Sequence, residues 1–235
     1  MTMMDPDWQS IRLVVFDMDG TLYRQRPVRL AMLQMLLRDV FRSRSTRTLR
    51  VLADYRRTRE QLADARTEDF DAPLVARVAA RAGITQHAVE QLVEDWIETR
   101  PLPHLRRAMV PGADALFAAL RNSGRRIGVL SDYPAAGKLA ALGLAADHVV
   151  AARDVGVMKP HPRGLQALMA AASVEPAHTL MIGDRLDRDS AAAAACDVRA
   201  LLHSPAPIAG QHCFTSFLDP LFAPLLTQPR ATATA

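Results

Sequence analysis

Asp17 and Asp19 stand one residue apart at the end of the apolar run Leu13-Val14-Val15-Phe16, and Gly20 and Thr21 follow them. A short apolar run bounded by turn chemistry reads as a fully buried strand of a parallel sheet. In open α/β sheets, ligands bind beyond the carboxyl ends of the strands. Side chains alternate along a strand, so extended geometry past Phe16 points both acids the same way. Two converging carboxylates repel one another unless a cation or a proton intervenes. The pair therefore predicts either a bound divalent metal or one protonated acid.

Three further stretches place polar groups at strand ends. Ser131 and Asp132 follow the apolar run Ile127 to Leu130. Lys159 follows Met158 and precedes Pro160. Gly183 and Asp184 follow Leu180-Met181-Ile182, and Asp187 and Asp189 come soon after. Each is ambiguous alone. Ser131 and Asp132 are also good helix caps, and Asp187 and Asp189 suit the first turn of a helix. Lys159 stands out by composition. Only Lys138 and Lys159 are lysines, while the other 27 basic residues are arginines. An ammonium point charge does not substitute for a planar guanidinium.

The elements needed to position these groups are legible in the periodicity. After Thr21 the pattern turns helical. Leu30, Leu33, Leu37, Val40 and Phe41 lie on one helical face. A second helical segment runs from about Ser45 to Ala65, with Leu49, Leu52, Tyr55 and Leu62 at similar spacing. Asp71 is placed to cap a third helix, with Pro73 in its first turn and Gly83 just past its end. Thr85 is placed to cap a fourth, with Val89, Leu92, Val93, Trp96 and Ile97 as its apolar stripe. Residues 24–106 thus read as an all-helical insertion.

From Pro111 onward helix and strand alternate. Helices are expected over 114–122, from Pro134 to near Gly143, over 162–172 and over 190–195. Strands are expected over 127–130, 148–151, 179–182 and 198–202. This alternation means βαβ units with right-handed crossovers. The fold class is α/β, a Rossmann-like doubly wound parallel sheet with an inserted helical domain. Residues 1–23 and 107–226 form the core, 24–106 the insertion, and 227–235 a fraying tail. In a parallel sheet all four polar stretches come to one edge.

Their order and spacing resemble the haloacid dehalogenase superfamily of phosphotransfer enzymes. Asp17 to Thr21 matches its D-x-D-G-T motif, Ser131 its second motif, Lys159-Pro160 its third, and Gly183-Asp184 with the following acids its fourth. The helical insertion corresponds to the family's cap between the first and second motifs. The resemblance implies that Asp17 is a nucleophile forming an aspartyl-phosphate and that Asp19 is general acid and base. It implies a magnesium ion held by Asp17, Asp184 and the Asp19 carbonyl, with Asp189 favoured over Asp187 as the second acid of the fourth motif. Thr21, Ser131, Asp132 and Lys159 are the expected phosphate contacts. Asp132 departs from the Asn common in relatives, which leaves its backbone N–H as the contact.

Within that resemblance, Asp19 favours phosphoryl transfer over carbon–halogen cleavage. Residues 24–106 contain no lysine to serve as the Schiff base of a phosphonatase. The expected activity is hydrolysis of a small phosphorylated metabolite, resembling phosphoglycolate phosphatases. A sugar phosphomutase, or a silent binding module of the same fold, are the alternatives.

Arg24 to Arg66 holds twelve arginines and four acids. Arg24 and Arg26 are the candidates for contact with a second anionic group. The chain of 235 residues has a net charge of +4. No aromatic interleaving accompanies that charge, so nucleic acid is not an expected partner. There is no basic-then-apolar leader at the N-terminus and no apolar run near the roughly 18 residues of a membrane span. Cys196 and Cys213 are too few for a disulfide framework. These readings point to a cytoplasmic monomer or homodimer.

Overall fold

A computed structural model describes residues 5–227, so the expected tail lies, Thr227 apart, outside the described residues. Six strands form one wholly parallel sheet in the order β3-β2-β1-β4-β5-β6. They are β1 (Leu13–Phe16), β2 (Arg126–Ser131), β3 (His148–Ala151), β4 (Thr179–Gly183), β5 (Arg199–His203) and β6 (His212–Phe214). β1 is central, with Val15 paired in register to Gly128 of β2 on one side and Met181 of β4 on the other.

Alternate residues of β1 enter two separate cores, as a doubly covered sheet requires. Leu13 and Val15 pack with Leu165, Leu168 and Met181 on one face. Val14 and Phe16 join Leu116, Phe117 and Leu120 on the other. The Phe16 and Phe117 rings lie 4.8 Å apart. Phe217, 6.0 Å from Phe16, extends this aromatic cluster toward Phe214 and Phe222.

The insert that follows β1 contains α1 (Gln25–Ser43), α2 (Arg47–Asp64), α3 (Asp71–Ala82), α4 (Gln86–Val93) and α5 (Leu102–Ala108). A π-helical segment, Glu94–Thr99, extends α4 and carries the buried Trp96 and Ile97. After β1 and this insert come α6 (Ala113–Asn122), α7 (Ala136–Leu142), α8 (Ala152–Val155), α9 (Arg163–Ala172), α10 (Ala191–Ala194) and α11 (Ala223–Leu226). No helix among the described residues is long and apolar enough to cross a membrane.

Three local expectations change. α1 carries two apolar stripes and buries the other one. Val28 and Met32 are inside, with Met35 and Leu36 packed against the core. Leu30, Leu33, Leu37 and Phe41 are exposed, Phe41 by 82%. Periodicity finds a stripe but does not choose between two when packing against α5 decides. Asp71 is the first residue of α3 rather than its cap. Phe70 holds the cap position, and the Asp71 carboxylate lies 3.0 Å from Arg153 Nε. β6 was not expected, since three residues are too few to show a period. Thr85 does cap α4, its hydroxyl accepting from the Ala88 N–H at 3.2 Å, and Gly83 takes the left-handed conformation after α3.

Phe117 is 2% exposed and stacks on the last residue before Asp17. Phe117→Ala is expected to lower stability by about 3–5 kcal/mol, as burial of a lost ring dictates. Equilibrium urea unfolding with an unchanged m-value checks it.

Candidate active site

The strand ends do converge. The Asp17 N–H still donates to the Ile182 carbonyl at 2.8 Å, so this acid is held by the sheet itself. Its carboxylate accepts from Thr21 Oγ1 at 3.1 Å on one oxygen and from Lys159 Nζ at 2.5 Å on the other. Lys159 also lies 2.6 Å from Asp189 Oδ1. The second Asp189 oxygen accepts the N–H groups of Asp184, at 3.0 Å, and Arg185, at 2.9 Å. Asp189 thereby ties the loop after β4 to the lysine. The close approach depends on Gly183, where a Cβ would sit 2.3 Å from the Asp189 side chain.

Asp17, Asp184 and Asp189 each offer an oxygen within 4.8 Å of the others. Asp189, not Asp187, is the acid of this cluster. Asp187 is an exposed partner of Arg185 at 2.9 Å. Three carboxylates against the single ammonium of Lys159 leave two uncompensated negative charges when all are ionised. Burial and that excess act together on these acids. Burial pushes the Asp17 carboxyl up, and the charges of Asp189, Asp184 and Asp19 push it further, outweighing Lys159. Burial, then Asp189, pushes Asp184 up to about 7. Among the described residues, no hydrogen-bond donor reaches the Asp184 carboxylate. An all-oxygen donor set with excess negative charge fits a hard divalent cation such as magnesium.

Asp19 is in a different environment. Its carboxylate receives Lys138 Nζ at 2.6 and 2.7 Å and the Tyr23 hydroxyl. Burial acts to raise its pKa, but Lys138 and Tyr23 prevail and hold it below the ordinary carboxylate value. Its carbonyl accepts from the Gln25 side-chain amide. Gly20 follows at φ +111°, and a Cβ there would lie 2.0 Å from Asp184 Oδ2. The turn from Asp19 to Asp184 therefore has room only for glycine.

The remaining expected residues divide. Lys159 and Asp132 line the cavity with Asp17, Asp19 and Asp184. Asp132 Oδ1 accepts from the Lys159 N–H at 3.2 Å, and its carbonyl accepts from Arg59. Thr21 is fully buried and acts on Asp17. Ser131 is 1% exposed, its hydroxyl accepts the Tyr133 N–H at 3.2 Å, and it is not on the cavity wall. Arg24 and Arg26 are exposed and do not line the cavity, whereas Arg29 and Arg56 do.

Lys138, Tyr23 and Gln25 were not anticipated. The signal for Lys138 was present in its rarity among so many arginines, but nothing local ties it to Asp19, 119 positions away.

The cavity, about 620 Å³, lies between the strand ends and the helical insert. A second cavity of about 630 Å³, beside Arg47, Leu92 and Asp95, contains none of the converging acids of the sheet edge. Ion pairs close the first along one side. Glu60 of α2 meets Arg185 at 3.1 Å and Arg188 at 3.0 Å, and Asp64 also pairs with Arg188. Arg59 stacks over Tyr133, its guanidinium carbon 4.3 Å from the ring centre.

Comparison with known proteins gives consistent relatives. The family described as haloacid dehalogenase-like hydrolase matches residues 11–197. A glyceraldehyde 3-phosphate phosphatase of Pyrococcus abyssi (strain GE5 / Orsay) is 36% identical over 85 residues, 34% of this chain and 36% of that protein. The chain thus matches about a third of the length of this curated relative. A HAD phosphatase from Thermococcus onnurineus superposes with a TM-score of 0.66 at 20% identity, covering 94% of this chain and 100% of the other. A 2-haloacid dehalogenase from Pseudomonas syringae pv. Tomato DC3000 superposes with a TM-score of 0.62 at 22% identity, covering 92% and 97%.

The raised Asp184 pKa sets a stability slope for the metal-free chain. Between about pH 4 and about pH 7 the folded state keeps a proton that the unfolded state has released. Stability is therefore expected to fall as pH rises through that window. Asp184→Asn is expected to flatten the fall. Urea unfolding in chelator at pH 5 and pH 7, for both proteins, checks it.

Proposed function

The chain belongs to the haloacid dehalogenase-like hydrolase family, and from that premise we propose that it is a magnesium-dependent hydrolase of small phosphate monoesters. The carrying observation is the cluster of Asp17, Asp184 and Asp189, whose excess negative charge suits a divalent cation beside a buried nucleophile. A phosphate ester brings further negative charge to that point, and a carboxylate attacks it only when the charge is neutralised. Asp19 supports the same reading, since a second acid is what the leaving oxygen and the attacking water require.

In this reading Asp17, Asp184 and the Asp19 carbonyl hold magnesium, with Asp189 fixing the loop. Bound there, the ion supplies charge neutralisation between nucleophile and phosphoryl oxygens. Asp17 Oδ attacks phosphorus and the ester P–O bond breaks; Asp19, ionised beside Lys138, takes up a proton as the phosphate adds its negative charge and passes it to the departing oxygen. Asp19, again a carboxylate, then takes a proton from water. That water attacks the aspartyl-phosphate, the bond to Asp17 breaks, and inorganic phosphate leaves. Lys138 and Tyr23 orient Asp19 for both transfers. Lys159 holds Asp17 in place and meets the incoming phosphate beside the Asp132 N–H, while Thr21 keeps the Asp17 carboxylate aligned. Helices over 24–106 act as a cap on the core of 1–23 and 107–226, excluding water from the reaction.

Magnesium-dependent release of phosphate from an aryl phosphate tests the proposal. Asp17→Asn is expected to reduce turnover by about three orders of magnitude or more, as removal of a nucleophile does. Turnover that survives Asp17→Asn, or that ignores chelation, would overturn it.

A further inference from the structure

The wall of the cavity facing the catalytic acids is built by the insert, and it is largely apolar. Val28, Met32 and Leu36 of α1, Leu52 of α2, and Trp96 and Ile97 of the π-helical segment line it. The insert also contributes five polar side chains to the lining, and four of them are already engaged. Gln25 donates to the Asp19 carbonyl and Arg29 to Gln25. Arg59 donates to the Asp132 carbonyl, and Glu60 pairs with Arg185 and Arg188. Arg56, exposed, is the fifth.

A substrate rich in hydroxyls would set those that face α1, Leu52 and the Trp96–Ile97 segment against hydrocarbon, which costs about 1–3 kcal/mol for each group left unpaired. The volume points the same way. At about 620 Å³ the cavity falls within the range of roughly 300–1,000 Å³ that encloses drug-sized ligands, well beyond what a three-carbon phosphate fills. At its rim Leu33 is 47% exposed and Leu49 is 37% exposed, and both line the cavity. Scattered surface leucines need no explanation. Two at the mouth, next to the apolar wall of the insert, extend that wall outward.

We infer that the organic part of the substrate is an extended apolar group, as in an alkyl or prenyl-type phosphate monoester, seated between α1, α2 and the Trp96–Ile97 segment. This rests on the phosphatase reading and adds the leaving-group class to it. The phosphate meets Asp17 and Lys159, and the hydrocarbon runs from Asp19 toward Leu33 and Leu49. The bond that breaks is the same P–O ester bond, and the product is the corresponding alcohol with inorganic phosphate.

The experiment is a panel of n-alkyl phosphates of increasing length, with glyceraldehyde 3-phosphate and phosphoglycolate alongside, assayed with magnesium for phosphate release. The value of kcat/KM is expected to rise about fourfold per methylene while the chain stays inside the cavity, then to level off. Leu33→Gln and Leu49→Gln alter exposed positions that the fold does not depend on. They are expected to lower kcat/KM for the longest chains relative to the shorter ones. n-Alkylphosphonates, which cannot be hydrolysed, are expected to bind by calorimetry with the same length dependence. Release that ignores chain length, or that is fastest with glyceraldehyde 3-phosphate or phosphoglycolate, would overturn this inference and leave the phosphatase reading standing. A fastest rate with phosphoglycolate would assign Arg56 to a second anion instead. No release from any compound would sink the phosphatase reading, and this inference with it.

Discussion

One ammonium group, Lys159 Nζ, holds two carboxylates, with Asp17 at 2.5 Å and Asp189 at 2.6 Å, all three buried at the floor of the cavity. Burial alone would strip its proton, but the two acids outweigh burial and keep it charged. Buried charges persist only when paired and hydrogen-bonded, and much of the surrounding structure serves that requirement. The sheet ladder fixes Asp17, Thr21 donates to it, and two backbone N–H groups complete Asp189. Gly183 leaves the space in which Asp189 approaches. This set already carries one negative charge in excess, and Asp184 beside it adds a second, a surplus that suits a cation.

Asp19 shows how one short sequence motif supplies two chemical environments. Asp17 and Asp19 are two residues apart, yet the first has its pKa pushed up and the second held down. Burial acts on both; Asp189 and Asp184 add to it at Asp17, whereas Lys138 with Tyr23 overcomes it at Asp19. Separated environments are how neighbouring carboxylates acquire separate roles.

The strand ends were legible because a parallel sheet makes one edge of them whatever the helices do. Apolar runs ending in Asp17, Ser131 and Asp184 sufficed to place β1, β2 and β4, and the resemblance carried by Lys159 and the fourth-motif acids named the family. Side-chain direction was not legible. Ser131 turns to its own loop, and Arg24 and Arg26 point to solvent while Arg29 and Arg56 reach the cavity. Helical phase was ambiguous where α1 has two apolar stripes. Lys138 was conspicuous by type, but its partner is set by the packing of α7, which no local pattern encodes.

The ion pairs between α2 and the turn after β4 couple two parts of the molecule that the topology keeps apart. Arg185 and Arg188, which grip Glu60 and Asp64, stand on the same short turn as Asp184 and Asp189. Any separation of the insert from the sheet must break these contacts, and the recoil falls on the loop that carries the acids. Opening the chamber and holding the acid loop still are thus mechanically opposed. Dissolved salt weakens the grip, because the carboxylates of Glu60 and Asp64 are largely exposed. Ionic strength thereby becomes a dial on how firmly the lid of this chamber is fastened to its floor.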